Sequence, residues 1–155
     1  MENYSVLMSV YYKEQAENLR EAIDSILNQT VKTNEFIIVK DGPLTEKLDN
    51  TIKEYVEEYP GVFKIITLEK NMGLAKALNK GIEQCSNEII ARMDSDDISM
   101  PDRMERQLEA MEANRADILS GTIVEFDESV DKPTAKRELP EKNEQIIEFA
   151  KKISP

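Results

Sequence analysis

The sequence has no histidine and a single cysteine, Cys85, among its 155 residues. A zinc site made of Cys and His ligands is therefore excluded, and a lone thiol cannot close a disulfide within the chain. Cysteine usage of this kind is typical of proteins that stay in a reducing compartment, so we expect a cytoplasmic location.

Basic residues and long apolar runs are also scarce. The sequence has 20 Lys and Arg residues and 31 Asp and Glu residues, which gives a formal net charge of -11 at pH 7. Such a balance argues against a nucleic-acid partner, because nucleic-acid binding needs a basic face that displaces counterions. No apolar run reaches the ~18 residues of a membrane span, and residues 1–3 lack the basic start of a signal peptide. We therefore expect no membrane span in this chain.

What is present is a regular alternation of apolar runs and helical patterns. The composition, 40% hydrophobic and 33% charged, is that of a globular domain with a sizeable core. Apolar runs without polar alternation predict four buried strands, at residues 5–10, 35–39, 62–68 and 88–93. Apolar residues at helical spacing predict helices at 14–28, 48–59 and 73–85, and a fourth that opens at Pro101.

Buried strands that alternate with helices predict an α/β fold, an αβα sandwich with a mainly parallel sheet. In such sheets the ligand binds outside the carboxyl ends of the strands, near the point where the strand order reverses. The third helix is expected to turn an apolar face inward, formed by Leu74, Ala77, Leu78 and Ile82. The segments that follow the strands should line one rim of the sheet, and they are residues 11–12, 40–42, 69–71 and 94–97.

Three carboxylates, those of Asp94, Asp96 and Asp97, follow the fourth predicted strand. Oxygen-only ligands suit Mg2+ or Mn2+, and such an ion usually keeps open positions for water and for substrate phosphates. The loop therefore predicts a divalent-metal site that handles a phosphorylated ligand. A solvated loop whose carboxylates favour the start of the next helix is the alternative for the same pattern.

Four sequence blocks carry a family resemblance, and they are SVLMSVYYKE, FIIVKDG, NMGLAKALNKGI and DSDDISMPDR, spread over roughly residues 4–124. In this order they resemble the family 2 glycosyltransferases, which are inverting enzymes of the GT-A fold that use nucleotide-diphosphate sugars. One block alone would be a weak signal, whereas four blocks in the family's order are specific.

For the nucleotide, the resemblance implies a site at the ends of the first, second and fourth strands. Ser9 and Tyr11 would line the base, and Asp41 would accept a hydrogen bond from the base edge. Asp94 and Ser95 would complete the nucleotide site, with Asp94 at the ribose or at a metal-bound water.

For the reaction, the resemblance implies a Mn2+ or Mg2+ ion that is held by Asp96 and Asp94 and bridges the donor diphosphate. The sugar, expected from a UDP donor, would move with inversion to a hydroxyl of a saccharide or lipid-linked acceptor. The setting would be bacterial polysaccharide biosynthesis, in the cytoplasm or at the cytoplasmic face of the membrane. No residue here is assigned as the general base, which is expected beyond Pro155, so this chain alone is expected to bind the donor without completing the transfer.

The last part of the chain is less regular than the first. Residues 117–126 predict a fifth strand, residues 127–143 a mobile and highly charged loop, and residues 144–152 the first turns of another helix. We therefore expect a nucleotide-sugar-binding core at 1–126. The segment 127–155 would be a charged loop and the start of a further helix, interrupted before the acceptor-binding part.

Two other classes share parts of this pattern. A sugar-nucleotidyltransferase has a similar αβα sandwich and a divalent ion, but it usually shows a Gly-rich, basic loop after the first strand, where this chain has no Gly at residues 10–14. A phospho-acceptor receiver domain, which is not an enzyme, would carry its acidic pair directly after the first strand and a Lys after the last one. This chain has neither feature.

Overall fold

The computed structural model of the chain describes residues 3–127, 132–138, 140 and 142–153. The chain divides into two compact units, residues 1–108 and 109–155. The predicted nucleotide-sugar-binding core, residues 1–126, therefore extends past the end of the first unit.

The first unit is built from alternating strands and helices, as the sequence predicts. Its elements in chain order are β1 (Tyr4–Val10), α1 (Ala16–Leu27), β2 (Glu35–Lys40), α2 (Glu46–Glu58), β3 (Phe63–Thr67), α3 (Leu74–Ile82), β4 (Ile89–Asp94) and α4 (Arg103–Asn114). The boundary between the two units falls within α4.

The four strands of this unit form one sheet in the order β3-β2-β1-β4, and every neighbouring pair is parallel. This confirms the predicted α/β class with a parallel sheet. The chain first builds outward from β1 through β2 to β3, and then returns to place β4 on the opposite side of β1. The strand order therefore reverses at β1, and ligands of such sheets bind at that point.

Both faces of the sheet are covered by helices. On one face, α1, α2 and α4 bury Leu19, Leu48 and Met104 against sheet residues such as Val6 and Phe36. On the other face, α3 packs on the middle of the sheet, and the buried residues of that cluster are Leu7, Ile37, Val39 and Ala77. The apolar runs of the two central strands are thus buried from both sides, as expected for parallel strands.

Helix α3 lies unusually close to the sheet, and its inward face differs from the predicted one. A Cβ atom at Gly81 would lie 2.2 Å from Leu7 Cδ1 and 2.9 Å from Val39 Cγ2. The small residues Ala77 and Gly81 form the contact, while Leu74 and Ile82 are 50% and 48% exposed. The prediction that Leu74 and Ile82 face inward is wrong, whereas Ala77 is buried and Leu78 packs against the same cluster, as predicted.

The second unit contains a hairpin and a helix. They are β5 (Ile123–Phe126), the antiparallel strand β6 (Pro133–Arg137) and α5 (Asn143–Ile153). The predicted fifth strand begins only at Ile123 and belongs to this two-stranded sheet.

The mobile loop predicted at 127–143 is wrong over residues 133–137, which form β6. Pro133 is the first residue of that edge strand, where a missing N–H costs little. The rest of the predicted loop includes residues 128–131, 139 and 141, which lie outside the described residues. The predicted terminal helix is confirmed as α5. Within the described part of the chain, no helix combines the length and the apolar character that crossing a bilayer requires.

A buried carboxylate, Glu35, fastens the amino ends of the strands together. Its oxygens accept hydrogen bonds from Lys64 Nζ at 2.5 Å, from Ser86 N and Oγ at 2.7 Å each, and from Ser5 Oγ. Burial alone would raise the pKa of the Glu35 carboxyl, but the hydrogen bonds from Lys64, Ser5 and Ser86 outweigh burial and lower the pKa from 4.5 to about 2. This network lies at the end of the sheet opposite the carboxyl ends of the strands.

We predict that Glu35→Gln lowers the free energy of unfolding at pH 7 and that the loss depends on pH. A carboxylate whose pKa falls from 4.5 to about 2 on folding contributes on the order of 3 kcal/mol at neutral pH. Because the folded-state pKa is depressed, this contribution is present above pH 4.5 and disappears as the pH falls toward 2. Urea denaturation between pH 7 and pH 3 measures the difference between the two proteins.

The matched control is Glu54→Gln, which breaks the exposed ion pair of Glu54 with Arg20. An exposed pair of this kind contributes ~0–1 kcal/mol, so the control should unfold almost like the wild type. A stability loss in Glu35→Gln that is the same at pH 7 and pH 3 would contradict the assignment.

Candidate functional site

The carboxyl ends of β1 and β4 bring two predicted site residues side by side. Ser9 pairs in register with Asp94 on β4 and with Val39 on β2. Side chains alternate along a strand, so Ser9 lies on the same face as Leu7, the face on which α3 packs. Asp94, its register partner, projects from the same face at the end of β4.

Two exposed tyrosines follow β1 directly. The rings of Tyr11 and Tyr12 meet edge to face with their centroids 5.9 Å apart. The turn after them is closed by a hydrogen bond from Glu14 N to Tyr11 O at 3.1 Å. Aromatic faces that remain exposed at a strand end can stack on a planar ligand such as a nucleobase.

Glu14 links the loop after β1 to the loop after β4, residues 94–99, which we call the acidic loop. Its Oε2 accepts a hydrogen bond from Ser95 Oγ at 2.5 Å, and its Oε1 accepts from Gln15 N at 2.8 Å and from Asn18 Nδ2 at 3.3 Å. Sequence reasoning did not single out Glu14, because an acid just before a helix is expected for reasons of helix polarity alone. The contact with Ser95 spans 81 residues of sequence and has no local signature.

Asp41, at the end of β2, is 3% exposed and is already engaged by the backbone. Its Oδ1 accepts a hydrogen bond from Met72 N at 2.7 Å, and its Oδ2 accepts from Gly73 N at 3.0 Å. The carboxylate thus satisfies N–H groups at the start of α3, whose N-cap is Gly73. Each carboxylate oxygen can accept a second hydrogen bond, so the predicted contact of Asp41 with a base edge stays a prediction beside this structural role.

Gly42 lets the backbone after β2 approach the turn before α3. Its φ is 88°, and a Cβ atom built on it would lie 2.6 Å from Asn71 N and 2.9 Å from Lys70 C. A side chain at this position would collide with backbone atoms and would also strain the backbone, since L-residues rarely adopt this φ. The Asp41-Gly42 pair therefore fixes the turn at residues 70–73 against the end of β2.

The acidic loop carries three carboxylates in different surroundings. Both oxygens of Asp94 accept hydrogen bonds from Arg92 Nη2, at 2.7 and 3.0 Å. Asp96 is exposed and makes no hydrogen bond or ion pair with another described residue. Desolvation, together with the nearby charges of Asp96 and Asp94, raises the pKa of Asp97, against the lowering effect of Arg103. Of the three, Asp96 is the carboxylate most available to a ligand.

A divalent ion would find two carboxylates here and no complete protein cage. Among the described residues, no group of three or more acidic, His or Cys side chains is arranged to hold a metal ion. Mg2+ and chemically similar ions are often bound by only one or two carboxylates, with waters and substrate phosphates as the remaining ligands. Asp96 and Asp94 therefore stay the predicted ligands of an ion that binds together with a phosphorylated ligand.

Comparison with known proteins decides the family. Residues 5–154 match the sequence profile of glycosyl transferase family 2. The chain belongs to glycosyl transferase family 2. The resemblance predicted from the four sequence blocks is thereby confirmed, and the nucleotidyltransferase and receiver alternatives are set aside.

Two curated members of the family are similar over almost the whole chain. The amylovoran biosynthesis glycosyltransferase AmsE of Erwinia amylovora is 43% identical over 98% of this chain and 56% of its own length. The UDP-Gal:alpha-D-GlcNAc-diphosphoundecaprenol beta-1,3-galactosyltransferase of Escherichia coli is 39% identical over 98% of this chain and 54% of its own length. The chain thus spans about half the length of the curated relatives it matches.

A solved structure supports the same fold. The mannosyltransferase PcManGT from Pyrobaculum calidifontis, in complex with GDP-Man and Mn2+, superposes with a TM-score of 0.62 at 20% identity. The match covers 71% of this chain and 32% of that one. At this identity the similarity concerns the fold alone, and it confirms the predicted GT-A type.

We predict that Gly42→Ala destabilises the protein more than Gly61→Ala. Both glycines have a positive φ, 88° and 86°, but a Cβ atom at Gly61 has no heavy atom within 4 Å. Gly61→Ala is therefore the control, and it introduces only the backbone strain of about 1–2 kcal/mol. Gly42→Ala adds a collision of the new Cβ atom with backbone atoms of residues 70–71. Chemical denaturation of the two variants compares the losses, and equal losses would show that the close approach is not as described.

Proposed function

We propose that this chain is the donor-binding part of a metal-dependent, inverting glycosyltransferase that takes its sugar from a nucleotide diphosphate. The observation that carries the proposal is the register of β1 and β4, which sets Ser9 beside Asp94 at the strand-order reversal. The hydrogen bond between Glu14 and Ser95 ties the loops that follow these two strands into one rim. A nucleotide laid across that rim would meet aromatic rings at one end and carboxylates at the other.

The nucleoside would bind at the β1 and β2 ends of the rim. Tyr11 would stack on the base, with Ser9 beside it, because the Tyr11 ring is exposed directly after β1. Asp41 would accept a hydrogen bond from an N–H on the base edge, such as a uracil imide, through a lone pair that Met72 and Gly73 leave free.

The ribose and diphosphate would bind at the β4 end. Asp94 would contact the ribose or a metal-bound water, with Ser95 completing the nucleotide site, and Asp96 would hold Mn2+ or Mg2+ together with Asp94. Such an ion supplies Lewis-acid stabilisation of the leaving nucleoside diphosphate. Arg92 already lies against Asp94, so its guanidinium is placed to offset negative charge in a chain whose net charge is -11.

The donor and acceptor classes are proposed from the relatives' names. The E. coli relative is named for UDP-Gal and a diphosphoundecaprenol-linked acceptor, which favours a UDP-sugar and a saccharide or lipid-linked hydroxyl for this chain. The PcManGT complex with GDP-Man makes a GDP-sugar the second candidate, and its Mn2+ supports a divalent ion. We propose that the general base lies beyond Pro155, since the curated relatives are nearly twice as long as the part matched here.

We predict that UDP raises the thermal unfolding midpoint of this chain only when Mn2+ is present. A ligand at a hundred times its dissociation constant adds about 2.7 kcal/mol to the free energy of unfolding. Asp96→Asn keeps the shape of the side chain but removes its charge, so the Mn2+-dependent increase should be lost. Differential scanning fluorimetry with UDP, GDP and UMP, each with and without Mn2+, measures the effect.

Asp102→Asn is the matched control for this experiment. Asp102 lies a few residues beyond the acidic loop and pairs with Arg106 at 3.6 Å, so its loss removes the same charge without touching the loop. The control should keep the full increase. If neither UDP nor GDP moves the midpoint in the presence of Mn2+, or if Asp96→Asn responds like the wild type, the donor-site proposal is wrong.

A further inference from the structure

Gln29 is a polar side chain in the core, 1% exposed, directly after the end of α1. Its Nε2 donates to Met100 O at 2.7 Å and to Ser25 O at 2.9 Å, and it lies 3.2 Å from Ser99 Oγ. Its Oε1 accepts a hydrogen bond from Met104 N at 2.9 Å. One amide thus joins the end of α1 to the segment between the acidic loop and α4, using both its donors and its acceptor.

The neighbours of Gln29 hold the same segment. Ser99 N donates to Ser25 Oγ at 3.0 Å. Thr30 N donates to Pro101 O at 2.9 Å, and Thr30 Oγ1 donates to Glu105 Oε2 at 2.9 Å. The chain that leaves the acidic loop is therefore fixed to the end of α1 by backbone and side-chain contacts alike.

The acidic loop is held at both of its ends by buried serines, and the residues between them are exposed. Ser95 is buried and bonded to Glu14, just before α1, while Ser99 is buried and bonded to Ser25 and Gln29 near the end of α1. Residues 96–98 between these anchors are exposed. Because the two anchors are only four positions apart in sequence, the path of residues 96–98 is set by where the anchors sit.

We propose that Gln29 is a positioning residue for the donor site: it fixes the far anchor of the acidic loop and so sets where the carboxylate of Asp96 points. For its effect on ligand binding, this inference rests on the proposed function of the loop. A buried amide whose donors and acceptor are all engaged has one favourable orientation, so it specifies a single loop geometry. Groups that hydrogen-bond a metal ligand directly commonly change metal affinity ~10–100-fold when they are replaced. Gln29 acts on Asp96 through the chain between Ser99 and Asp96, so we expect an effect at the lower end of that range.

The test replaces Gln29 by Met, which has a similar length but cannot form these hydrogen bonds. We expect Gln29→Met to weaken binding of UDP in the presence of Mn2+ by about tenfold or more in calorimetric titrations. We also expect faster hydrogen–deuterium exchange at residues 95–104, while exchange in β1, β2 and β3 stays near the wild-type rate. All measurements are made at a temperature at which each variant is fully folded.

Two further variants keep the test decisive. Glu35→Gln loses stability at the opposite end of the sheet, away from the acidic loop, and should bind UDP and Mn2+ like the wild type. Ser25→Ala removes the acceptor for Ser99 N while keeping Gln29, and should move affinity and loop exchange in the same direction by a smaller factor. Ser25→Ala also gives a result if Gln29→Met does not fold.

The outcomes separate this inference from the proposed function. Wild-type affinity in Gln29→Met, or unchanged exchange at residues 95–104, would overturn the positioning role and leave Gln29 as a residue of the fold only. If the wild-type chain does not bind UDP with Mn2+ at all, the proposed function fails, and the exchange measurement by itself then decides whether Gln29 fixes the loop. A tenfold loss in Gln29→Met that Glu35→Gln does not share would support the inference.

Discussion

The parallel pairing of β1 with β4 is the interaction on which the candidate site depends. β1 is hydrogen-bonded on both sides, and the chain reaches β4 only after it has built β2 and β3 on the other side. A slip of one residue in the β1–β4 register would turn Asp94 to the opposite face, because side chains alternate along a strand. The apolar core therefore determines the face on which the acidic loop begins, before any ligand is present.

The two ends of the sheet handle negative charge in opposite ways. At the amino end, the Glu35 carboxylate is buried and satisfied by Lys64, Ser5 and Ser86, and it stabilises the fold. At the carboxyl end, the Asp96 carboxylate is exposed, and desolvation followed by the charges of Asp96 and Asp94 raises the pKa of Asp97. Uncompensated charge of this kind reduces stability, and it is kept where a cation or a ligand can offset it. The fold thus separates a buried, hydrogen-bonded carboxylate from the exposed carboxylates at the end proposed to bind.

The sequence predicts those features that depend on a local pattern of residues, and it misses contacts between distant segments. The strands and helices of the first unit follow from apolar runs and helical spacing, and the family follows from four blocks in order. On α3, Ala77 was predicted correctly, whereas Gly81 was missed because a glycine contributes no hydrophobic side chain to the pattern, although it is buried against the sheet. The strand at 133–137 was missed because charge and Pro133 indicate a loop. The contact of Glu14 with Ser95 joins distant segments through single polar atoms, and no periodic pattern in the sequence predicts such a contact.

The structural role of Asp41, set beside its proposed contact with a base, has a consequence for how donor preference can change during evolution. Its carboxylate accepts hydrogen bonds from Met72 N and Gly73 N in the turn that leads into α3, so a replacement disturbs the fold as well as any contact with a base. Tyr11 is exposed, and its side chain makes no hydrogen bond with another described residue, so its replacement costs little stability. Under the proposed function, drift toward a different nucleobase is therefore more accessible through Tyr11 than through the buried Asp41.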